Sequence, residues 1–480
     1  MPTPRTRIVA TVGPASAPDA VFTRLLDAGV DVARLNCAHG DRAARTATIR
    51  RVRACAAGRE RPLAVLADLA GPKVRVGRFR GGSAELLAGG EFTLTPRDVE
   101  GDENQASVSH SKLAGDVGTG DTIFLNDGLV RLVVTGLAGD DVHTEVVTGG
   151  AVADFKGLAV PSADLAIPTI SDSDLADLDA LVEAEVDFVG LSFTRSRDDV
   201  EQLRSELRAR GSNARVVAKI ETARAVERLE EIVPAADAVM VARGDLGVEC
   251  PIEDVPGLQK HIISVCRRLA RPVITATQML ESMIEQPSPT RAEVTDVANA
   301  VVDGTDAVML SAETATGRYP VETVEVMRRI LMRAEQIAQR PIEAEGGHGA
   351  ALDANDPYER RMADAVARSA CVLADSLDVA AIVCITQSGR TARWLSKWRP
   401  RQPILAVTPH EATWRRLALG WGLEPVRVDA FASDFDRACR DVLDVLRDRG
   451  RIAAGRHVVL TAGVPFAELG RTNTVRVERV

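Results

Sequence analysis

The stretch VVAKIET, residues 216–222, closes an apolar run with a lysine and a glutamate two positions apart. Lysine is rare in this chain, which holds six lysines among 59 basic residues. Side chains two apart on a β-strand point to the same face, so Lys219 and Glu221 can act at one site. An ammonium next to a carboxylate suits a site that binds a metal ion and an anion together.

Polar groups stand at the ends of all eight apolar runs. At seven of the eight ends, packing alone would not require a polar side chain. One of the runs ends with Lys219 and Glu221. Those at the other seven ends are Thr11 with Gly13 and Pro14, Arg34 with Asn36, Asp68, Ser192, Arg243 with Asp245, Thr277, and Ser311 with Glu313.

Two carboxylates and two cations in this set predict one kind of chemistry. Glu221 and Asp245 suit Mg²⁺, which is commonly held by one or two carboxylates plus substrate oxygens. Lys219 and Arg34 supply positive charge for an anion that bridges to the metal. The layout indicates phosphoryl transfer, which depends on positioning and charge neutralisation more than on covalent chemistry by the protein.

The eight runs are typical of strands buried on both faces of a parallel sheet, because they are short and almost continuously apolar. They are RIVAT (7–11), VDVARL (30–35), LAVLAD (63–68), VDFVGLS (186–192), RVVAKI (215–220), DAVMVA (237–242), PVITA (272–276) and DAVMLS (306–311). A helical pattern follows each run; the helix at SDSDLADL has Ser171 and Asp172 as N-cap candidates. Eight strands with eight helices predict a (β/α)8 TIM barrel, whose catalytic residues lie at the strand ends.

Two more units interrupt or follow the barrel, which we assign to residues 1–74 and 165–342. A segment with hairpin signals at NDG and GDD separates the third strand from its helix, and we predict an inserted β-barrel lid domain over 75–164. A Gly/Ala-rich linker is predicted at 343–356. Alternating strands and helices then predict a C-terminal α/β domain of the effector type over 357–480.

Composition excludes several classes of protein. The formal charge of −9 and the lack of a basic run argue against nucleic-acid binding. Seven cysteines without a C-x-x-C pair predict reduced thiols and a cytoplasmic location. We expect neither export nor membrane spanning, since the chain has no signal-like start and no long apolar run. The sequence contains no GK dipeptide, no H-E-x-x-H and no G-x-S-x-G, so the Walker P-loop is excluded.

Several stretches resemble the pyruvate kinase family, in its bacterial type, over nearly the full chain. They are TVGPAS (11–16), ARLNCAHG (33–40), GPKVR (71–75), VAKIET (217–222), VARGDLGVE (241–249), TATQMLESM (275–283) and TRAEVTDVANAVVDGTDAVMLSAETATGRYP (290–320). The order of barrel, inserted lid and C-terminal domain matches as well. The resemblance implies phosphoryl transfer from phosphoenolpyruvate to ADP, giving pyruvate and ATP, the last step of glycolysis.

The same resemblance implies roles for the residues at the strand ends. Glu221 and Asp245 would hold the Mg²⁺ that binds phosphoenolpyruvate, with Mn²⁺ as an alternative ion. Lys219 would neutralise the charge of the phosphoryl group during transfer, and Arg34 would bind that group.

The remaining substrate and nucleotide contacts follow from the resemblance too. The Gly244 backbone and the Thr277 hydroxyl would bind the carboxylate end of the substrate, and a relay near Thr277 and Ser311 would protonate the enolate. A second Mg²⁺ would arrive with the nucleotide, and lid closure would exclude water. Relatives are homotetramers. The nucleotide would lie along Asn36, Cys37, Ala38, His39, Arg75 and Lys156.

The chain departs from the family at the site of a monovalent cation. Many members bind K⁺ through an Asn, a Ser, an Asp and a Thr, where this chain has Asn36, Ala38, Asp68 and Leu69. The familiar GPEIR is GPKVR here, with Lys73 in place of the glutamate. We therefore predict that Lys73 supplies the positive charge itself and that K⁺ is not required, as in the subgroup with lysine at this position.

The stretch ITQSGRTAR, residues 385–393, follows a strand and opens a helix. Hydroxyls and a glycine at a helix N-terminus can cradle a phosphate, and in relatives this loop binds a phosphorylated small-molecule activator. An ordinary capped helix is the alternative interpretation. The candidate effector-binding residues are Thr386, Ser388, Gly389, Arg390 and Thr391.

Two alternative functions stay open at the level of sequence. A lyase or aldolase acting on pyruvate enolate would explain the metal carboxylates, but not the lid or the NCAHG loop; ADP-dependent pyruvate release would separate the two. A non-catalytic paralogue that binds metabolites as a regulator is supported by Ala38 and Leu69. It would bind phosphoenolpyruvate without turnover.

Overall fold

A computed structural model of the protein describes residues 3–338, 352, 355–464 and 472–480. Its strands are β1 (Arg7–Thr11), β2 (Val32–Asn36), β3 (Ala64–Asp68), β4 (Ser83–Leu86), β5 (Glu91–Thr95), β6 (Gln105–Ser107), β7 (Thr122–Leu125), β8 (Val130–Ala138), β9 (Asp141–Thr148), β10 (Gly150–Ala153), β11 (Leu158–Ala159), β12 (Phe188–Leu191), β13 (Arg215–Ile220), β14 (Ala238–Ala242), β15 (Val273–Ala276), β16 (Ala307–Leu310), β17 (Ile382–Ile385), β18 (Ile404–Thr408), β19 (Leu423–Arg427), β20 (His457–Ala462) and β21 (Thr474–Arg479).

The α-helices are α1 (Asp19–Ala28), α2 (Arg42–Ala56), α3 (Leu113–Asp116), α4 (Asp172–Glu183), α5 (Arg197–Ala209), α6 (Ala223–Glu227), α7 (Leu229–Ala235), α8 (Arg243–Glu249), α9 (Val255–Arg268), α10 (Arg291–Asp303), α11 (Ala312–Ala315), α12 (Pro320–Ala338), α13 (Tyr358–Ser376), α14 (Arg390–Lys397), α15 (Glu411–Arg416) and α16 (Phe435–Asp448). Short 3-10 helices add Arg80–Gly82, Glu281–Ile284 and Leu417–Leu419.

A closed barrel of eight parallel strands forms the centre of the molecule and confirms the predicted fold class. Its strands neighbour one another in the order β1, β16, β15, β14, β13, β12, β3 and β2. Followed around the barrel in the opposite direction, this is the order of the strands along the chain. All eight predicted runs form these strands. The predicted helix start is confirmed as well, since the Ser171 hydroxyl accepts the Asp174 N–H in a capping box.

Four buried aspartates close the amino-terminal end of the barrel. Each stands one residue before a strand, and these strands (β2, β12, β14 and β16) alternate around the barrel. Each carboxylate accepts a backbone N–H at the start of the neighbouring strand, at 2.8–3.1 Å. The pairs are Asp31 with Ile8, Asp187 with Val65, Asp237 with Val216, and Asp306 with Val273. We call them the aspartate ring; the sequence analysis missed their recurrence.

The inserted segment after β3 forms its own sheet domain with its own core. Six strands lie in the order β11, β7, β8, β9, β5 and β6, and β10 pairs with β4. The predicted hairpins are present, because β7 pairs with β8 across NDG and β8 with β9 across GDD. The boundaries 75–164 stay a prediction.

The C-terminal domain is a five-stranded sheet, ordered β19, β18, β17, β20 and β21, in which β21 alone is antiparallel to its neighbour. It docks on the amino-terminal end of the barrel. Ala418 and Leu419 belong to the hydrophobic core of the barrel interior. Arg415 lies 2.9 Å from Asp187 of the aspartate ring. The docked domain therefore lies opposite the strand ends where chemistry is expected.

Most of the predicted linker 343–356 lies outside the described residues. Within the described part of the chain, no helix is both long enough and apolar enough to cross a membrane.

Asp187→Ala should destabilise the barrel strongly. The change removes the acceptor of the Val65 N–H and the ion-pair partner of Arg53 and Arg415. Breaking a buried pair of this kind costs about 3–5 kcal/mol, so the midpoint of thermal unfolding should fall markedly. Asp179→Ala, which removes an exposed carboxylate that pairs with one arginine, is the matched control. Equal midpoints for the two variants would contradict a structural role for the aspartate ring.

Candidate active site

A buried row of alternating charges lies at the carboxyl ends of the barrel strands. Arg34 donates to Oδ2 of Asp68 from Nη2 at 2.6 Å and from Nε at 3.0 Å. Oδ1 of Asp68 lies 3.4 Å from the ammonium of Lys219, which lies 2.7 Å from Oε1 of Glu221. Asp68 thus joins Arg34 to Lys219; the sequence analysis named Asp68 as a strand-end group and as a position of the K⁺ site, but not as this bridge.

The neighbours of Lys219 hold it charged and fixed in place. Burial acts to lower its pKa, but Asp68 and then Glu221 outweigh burial, and the pKa of the Lys219 ammonium is raised. The ammonium also donates to Oγ of Ser192 at 2.7 Å. Burial acts to raise the pKa of Asp68, yet Lys219 and the neighbouring guanidinium hold that pKa below its usual range. Lys219 and Asp68 are therefore both charged at neutral pH.

Glu221 has the features of a metal ligand. Its Oε2 accepts the Phe193 N–H at 2.6 Å, while the buried Oε1 lies 2.7 Å from the ammonium of Lys219. Burial raises the pKa of Glu221, and Asp245 raises it further, against the pull of Lys219. A divalent cation would offset the repulsion between the two carboxylates.

The donor set suits an ion that keeps other ligands. Across the described residues, no three His, Cys, Asp or Glu side chains group into a metal cluster. Mg²⁺ is usually held by one or two carboxylates together with waters and substrate oxygens, rather than by an all-protein cage. Glu221 and Asp245 therefore fit Mg²⁺.

Lys73 lies between a carboxylate of the barrel and a carboxylate of the lid. Its ammonium is 3.2 Å from Oδ1 of Asp245 and 3.4 Å from Oδ1 of Asp127. Burial acts to lower the pKa of Lys73, but Asp245 and Asp127 outweigh it and the pKa is raised. A fixed positive charge thus stands at a candidate metal ligand and bridges the two domains.

A glycine and a turn of the lid position this lysine. A β-carbon on Gly157 would lie 2.5 Å from Cε of Lys73. A glycine at this position therefore leaves room for the lysine side chain. Asn126 and Asp127 have φ angles of 52° and 55°, as a tight NDG hairpin turn requires. The sequence predicted this turn but missed the ion pair that it aims at Lys73.

The two candidate hydroxyls follow neighbouring strands but are not directly linked. The Gly244 N–H donates to Oγ1 of Thr277 at 2.9 Å, and that hydroxyl donates to the Ala276 carbonyl at 2.6 Å. Thr277 has a φ of 69°, an unfavourable conformation for a β-branched residue that is common at functional sites. The Ser311 N–H donates to Glu313 at 2.6 Å. In the described part of the chain, no hydrogen bond joins the Thr277 and Ser311 hydroxyls.

The loop after β2 holds four of the nucleotide candidates in a compact turn. Oδ1 of Asn36 accepts the Ala38 N–H at 3.2 Å, and the His39 N–H donates to the Asn36 carbonyl at 3.3 Å. Arg45 donates to the carbonyls of Cys37 and His39. Burial raises the pKa of the Cys37 thiol to about 12, so it is inert at neutral pH.

Arg75 and Lys156 lie together at the base of the lid. The Arg75 guanidinium donates to the Phe155 carbonyl at 2.9 Å, and the Lys156 carbonyl accepts the Val76 N–H at 3.0 Å. The segment that enters the lid is thereby paired with the segment that leaves it.

The candidate effector residues form the turn that opens α14. Gly389, the N-cap, has a φ of 79°, and its N–H donates to Oγ1 of Thr386 at 3.0 Å. The Thr391 hydroxyl lies 2.8 Å from that of Thr472. Ser388 and Arg390 are partly buried in the same turn.

Two family descriptions match the chain. Residues 3–324 match "Pyruvate kinase, barrel domain", and residues 364–478 match "Pyruvate kinase, alpha/beta domain". The first match alone spans well over half of the sequence.

Relatives and a solved structure agree with these matches. The chain is 42% identical to a pyruvate kinase of Mycobacterium intracellulare, over 99% of this chain and 98% of that protein. It is 41% identical to a pyruvate kinase of Thermotoga maritima, over 99% of each. The crystal structure of a pyruvate kinase from Cryptosporidium parvum superposes with a TM-score of 0.92 at 33% identity, covering 99% of this chain and 96% of that one. The chain therefore belongs to the pyruvate kinase family and is a phosphotransferase.

Proposed function

We propose that this enzyme transfers the phosphoryl group of phosphoenolpyruvate to ADP with Mg²⁺, and that it does so without K⁺. The observation that carries the proposal is the buried charged row, which ends at Glu221, one of the two carboxylates suited to the metal. The ammonium of Lys219 lies 2.7 Å from Glu221 and is held there by Ser192.

Each group in the row has a role in the transfer. Arg34 binds the phosphoryl group, and Lys219 neutralises the charge that it carries between donor and acceptor. Two unit charges 4 Å apart interact by about 4 kcal/mol at an effective dielectric of 20, so one ammonium can change the rate by orders of magnitude. Glu221 and Asp245 hold Mg²⁺, or Mn²⁺ in its place, and the ion supplies further charge neutralisation to the phosphoryl oxygens.

The other candidate residues bind the substrate carboxylate and the nucleotide, or supply the proton for the enolate. The Gly244 N–H, which follows β14, lies 2.9 Å from the Thr277 hydroxyl, which follows β15, and from there both can turn to the substrate carboxylate. A proton for the enolate is supplied near Thr277 and Ser311. The lid then excludes water from the transferring group. The nucleotide lies along Asn36, Cys37, Ala38, His39, Arg75 and Lys156.

The independence from K⁺ rests on what stands at the cation positions. Ala38 and Leu69 offer no side-chain oxygen, and the Asp68 carboxylate is engaged by Arg34 and Lys219. Lys73 adds a fixed ammonium 3.2 Å from the candidate metal ligand Asp245. The ammonium of Lys73 then replaces the exchangeable K⁺.

Assembly, location and regulation follow from likeness to the family. We propose a cytoplasmic homotetramer whose seven thiols are free, as all seven are in the structure. A phosphorylated activator would bind at the turn of Thr386, Ser388, Gly389, Arg390 and Thr391. The barrel, lid and C-terminal domain are assigned to the residue ranges that the sequence predicts.

Lys219→Ala should lower kcat by roughly 10²–10³ or more, because it removes a charge that acts on the transferring group. The readout is ADP-dependent pyruvate formation, with circular dichroism to check the fold. Lys260→Ala, at an exposed lysine of the barrel, should keep normal turnover. If Lys219→Ala kept kcat within tenfold, the proposed role would be wrong.

Glu221→Gln should weaken divalent-ion binding at least tenfold, since it removes one of two charged ligands. Equilibrium binding of Mn²⁺ to the substrate-free enzyme, followed by electron paramagnetic resonance, measures this without turnover. Glu227→Gln, at an exposed position nearby, serves as the control. Unchanged Mn²⁺ affinity in Glu221→Gln would place the metal elsewhere.

The enzyme should be fully active in buffer freed of K⁺. Lys73→Ala should lose most activity, and added K⁺ should not restore it because the oxygen ligands are missing. Lys112→Ala, at an exposed lysine of the lid, is the control. Lys73→Glu combined with Ala38→Ser and Leu69→Thr restores the ligand set of the family and should become dependent on K⁺. Activity of the unmodified enzyme only with K⁺ would overturn the role of Lys73 while leaving the kinase assignment intact.

A further inference from the structure

The loop between β2 and α2, residues 37–41, is held by one largely buried arginine of the helix that follows it. Nη1 of Arg45 donates to three backbone carbonyls of the loop, those of Cys37 at 3.2 Å, His39 at 3.1 Å and Gly40 at 2.8 Å. The side chain of Arg45 is only 11% exposed, although it belongs to the first turn of α2. Three carbonyl oxygens thus converge on a single nitrogen atom.

This loop conformation requires a donor at the point where the carbonyls meet. Each carbonyl oxygen carries partial negative charge, so three of them directed at one point repel one another. Backbone carbonyls away from water need a hydrogen-bond donor, and leaving them without one is costly. A guanidinium group supplies charge-assisted hydrogen bonds, which are stronger than those between neutral groups. Removing the guanidinium of Arg45 should therefore release the backbone of the loop.

A buried carboxylate of α4 holds the same guanidinium from its other side. Nη2 of Arg45 lies 2.6 Å from Oδ1 of Asp177, a residue that is 4% exposed. Arg42 pairs with the same oxygen through its Nε at 2.7 Å, but its side chain is 51% exposed. Within the described part of the chain, Arg42 donates no hydrogen bond to a carbonyl of the loop. The two arginines share one carboxylate, and Arg45 alone of the two connects it to the loop.

We propose that Arg45 is a positioning residue for the nucleotide, which acts through the loop that carries Cys37, Ala38 and His39. The inference rests on the proposed function, in which ADP lies along these loop residues. Arg45, fixed in turn by Asp177, orders the loop before ADP arrives. Less conformational freedom is then lost on binding, and the affinity for ADP is higher for that reason.

The test compares the affinity for ADP of the full-length enzyme with that of Arg45→Gln. The KM for ADP should rise roughly five- to tenfold, while the KM for phosphoenolpyruvate and the kcat at saturating ADP should stay within about twofold. Isothermal titration calorimetry with ADP and Mg²⁺ should give the same loss of affinity without turnover. Arg42→Gln, which removes the other guanidinium group from Asp177, is the matched control and should bind ADP as the unmodified enzyme does.

Two further variants separate positioning from a simple effect of charge. Arg45→Lys keeps the positive charge but offers one nitrogen in place of the two that contact the loop and Asp177. Its KM for ADP should therefore rise as in Arg45→Gln. Asp177→Asn should raise the KM for ADP as well. Combining it with Arg45→Gln should add little, because residues that act as one unit have non-additive effects.

Several results would overturn the proposal. Unchanged affinity for ADP in Arg45→Gln would do so, and so would an equal loss in Arg42→Gln, which would trace the effect to the charge balance at Asp177. An unchanged KM for ADP in Arg45→Lys would make charge, and not the fixed loop, the cause. Equal increases of the KM for both substrates would indicate a general structural role. If the unmodified enzyme formed no pyruvate, the proposed function would be wrong, and the calorimetric comparison would still decide the role of Arg45.

Discussion

The candidate active site depends on a buried row of four alternating charges, Arg34, Asp68, Lys219 and Glu221. Any one of them alone would be costly to bury, and each is stabilised only by its neighbours. Strands β2, β3 and β13 of one closed barrel supply the row, so the sheet fixes the spacing of the charges. The Lys219 ammonium is thereby held in place before any substrate arrives, which is the condition for electrostatic preorganisation.

The two ends of the barrel use buried charge for different purposes. At the carboxyl end, side-chain charges pair with one another at the candidate site, as Lys219 does with Glu221. At the amino-terminal end, the aspartate ring gives its oxygens to backbone N–H groups and arginines, so the charges brace the strands. This division agrees with the general rule that catalytic residues of such barrels lie at the carboxyl ends of the strands, whereas residues at the amino-terminal ends stabilise the fold. The C-terminal domain docks on the bracing end, where Arg415 pairs with Asp187 and Arg399 with Asp306.

The lysine that distinguishes this chain from many of its relatives links the lid to the barrel. Lys73 lies within 3.4 Å of both Asp127 and Asp245, and Gly157 leaves room for its side chain. A cation carried by the chain cannot diffuse away, and its position follows the lid. One ammonium therefore links Asp245, a proposed metal ligand, to the inserted domain.

The sequence by itself determined the barrel, the insertion after the third strand, the C-terminal domain and the candidates at the strand ends. It could do so because buried strands have a local apolar signature and the family motifs are continuous stretches. The partners of those candidates were decided only by the tertiary structure. The bridge through Asp68, the contact of Asp127 with Lys73 and the pairing of Asp237 with Arg204 join residues distant in sequence, and such contacts leave no local pattern. The sequence specifies which side chains are ionisable and where they stand along the chain. The partner that shifts the pKa of such a side chain depends on how the strands close into a barrel.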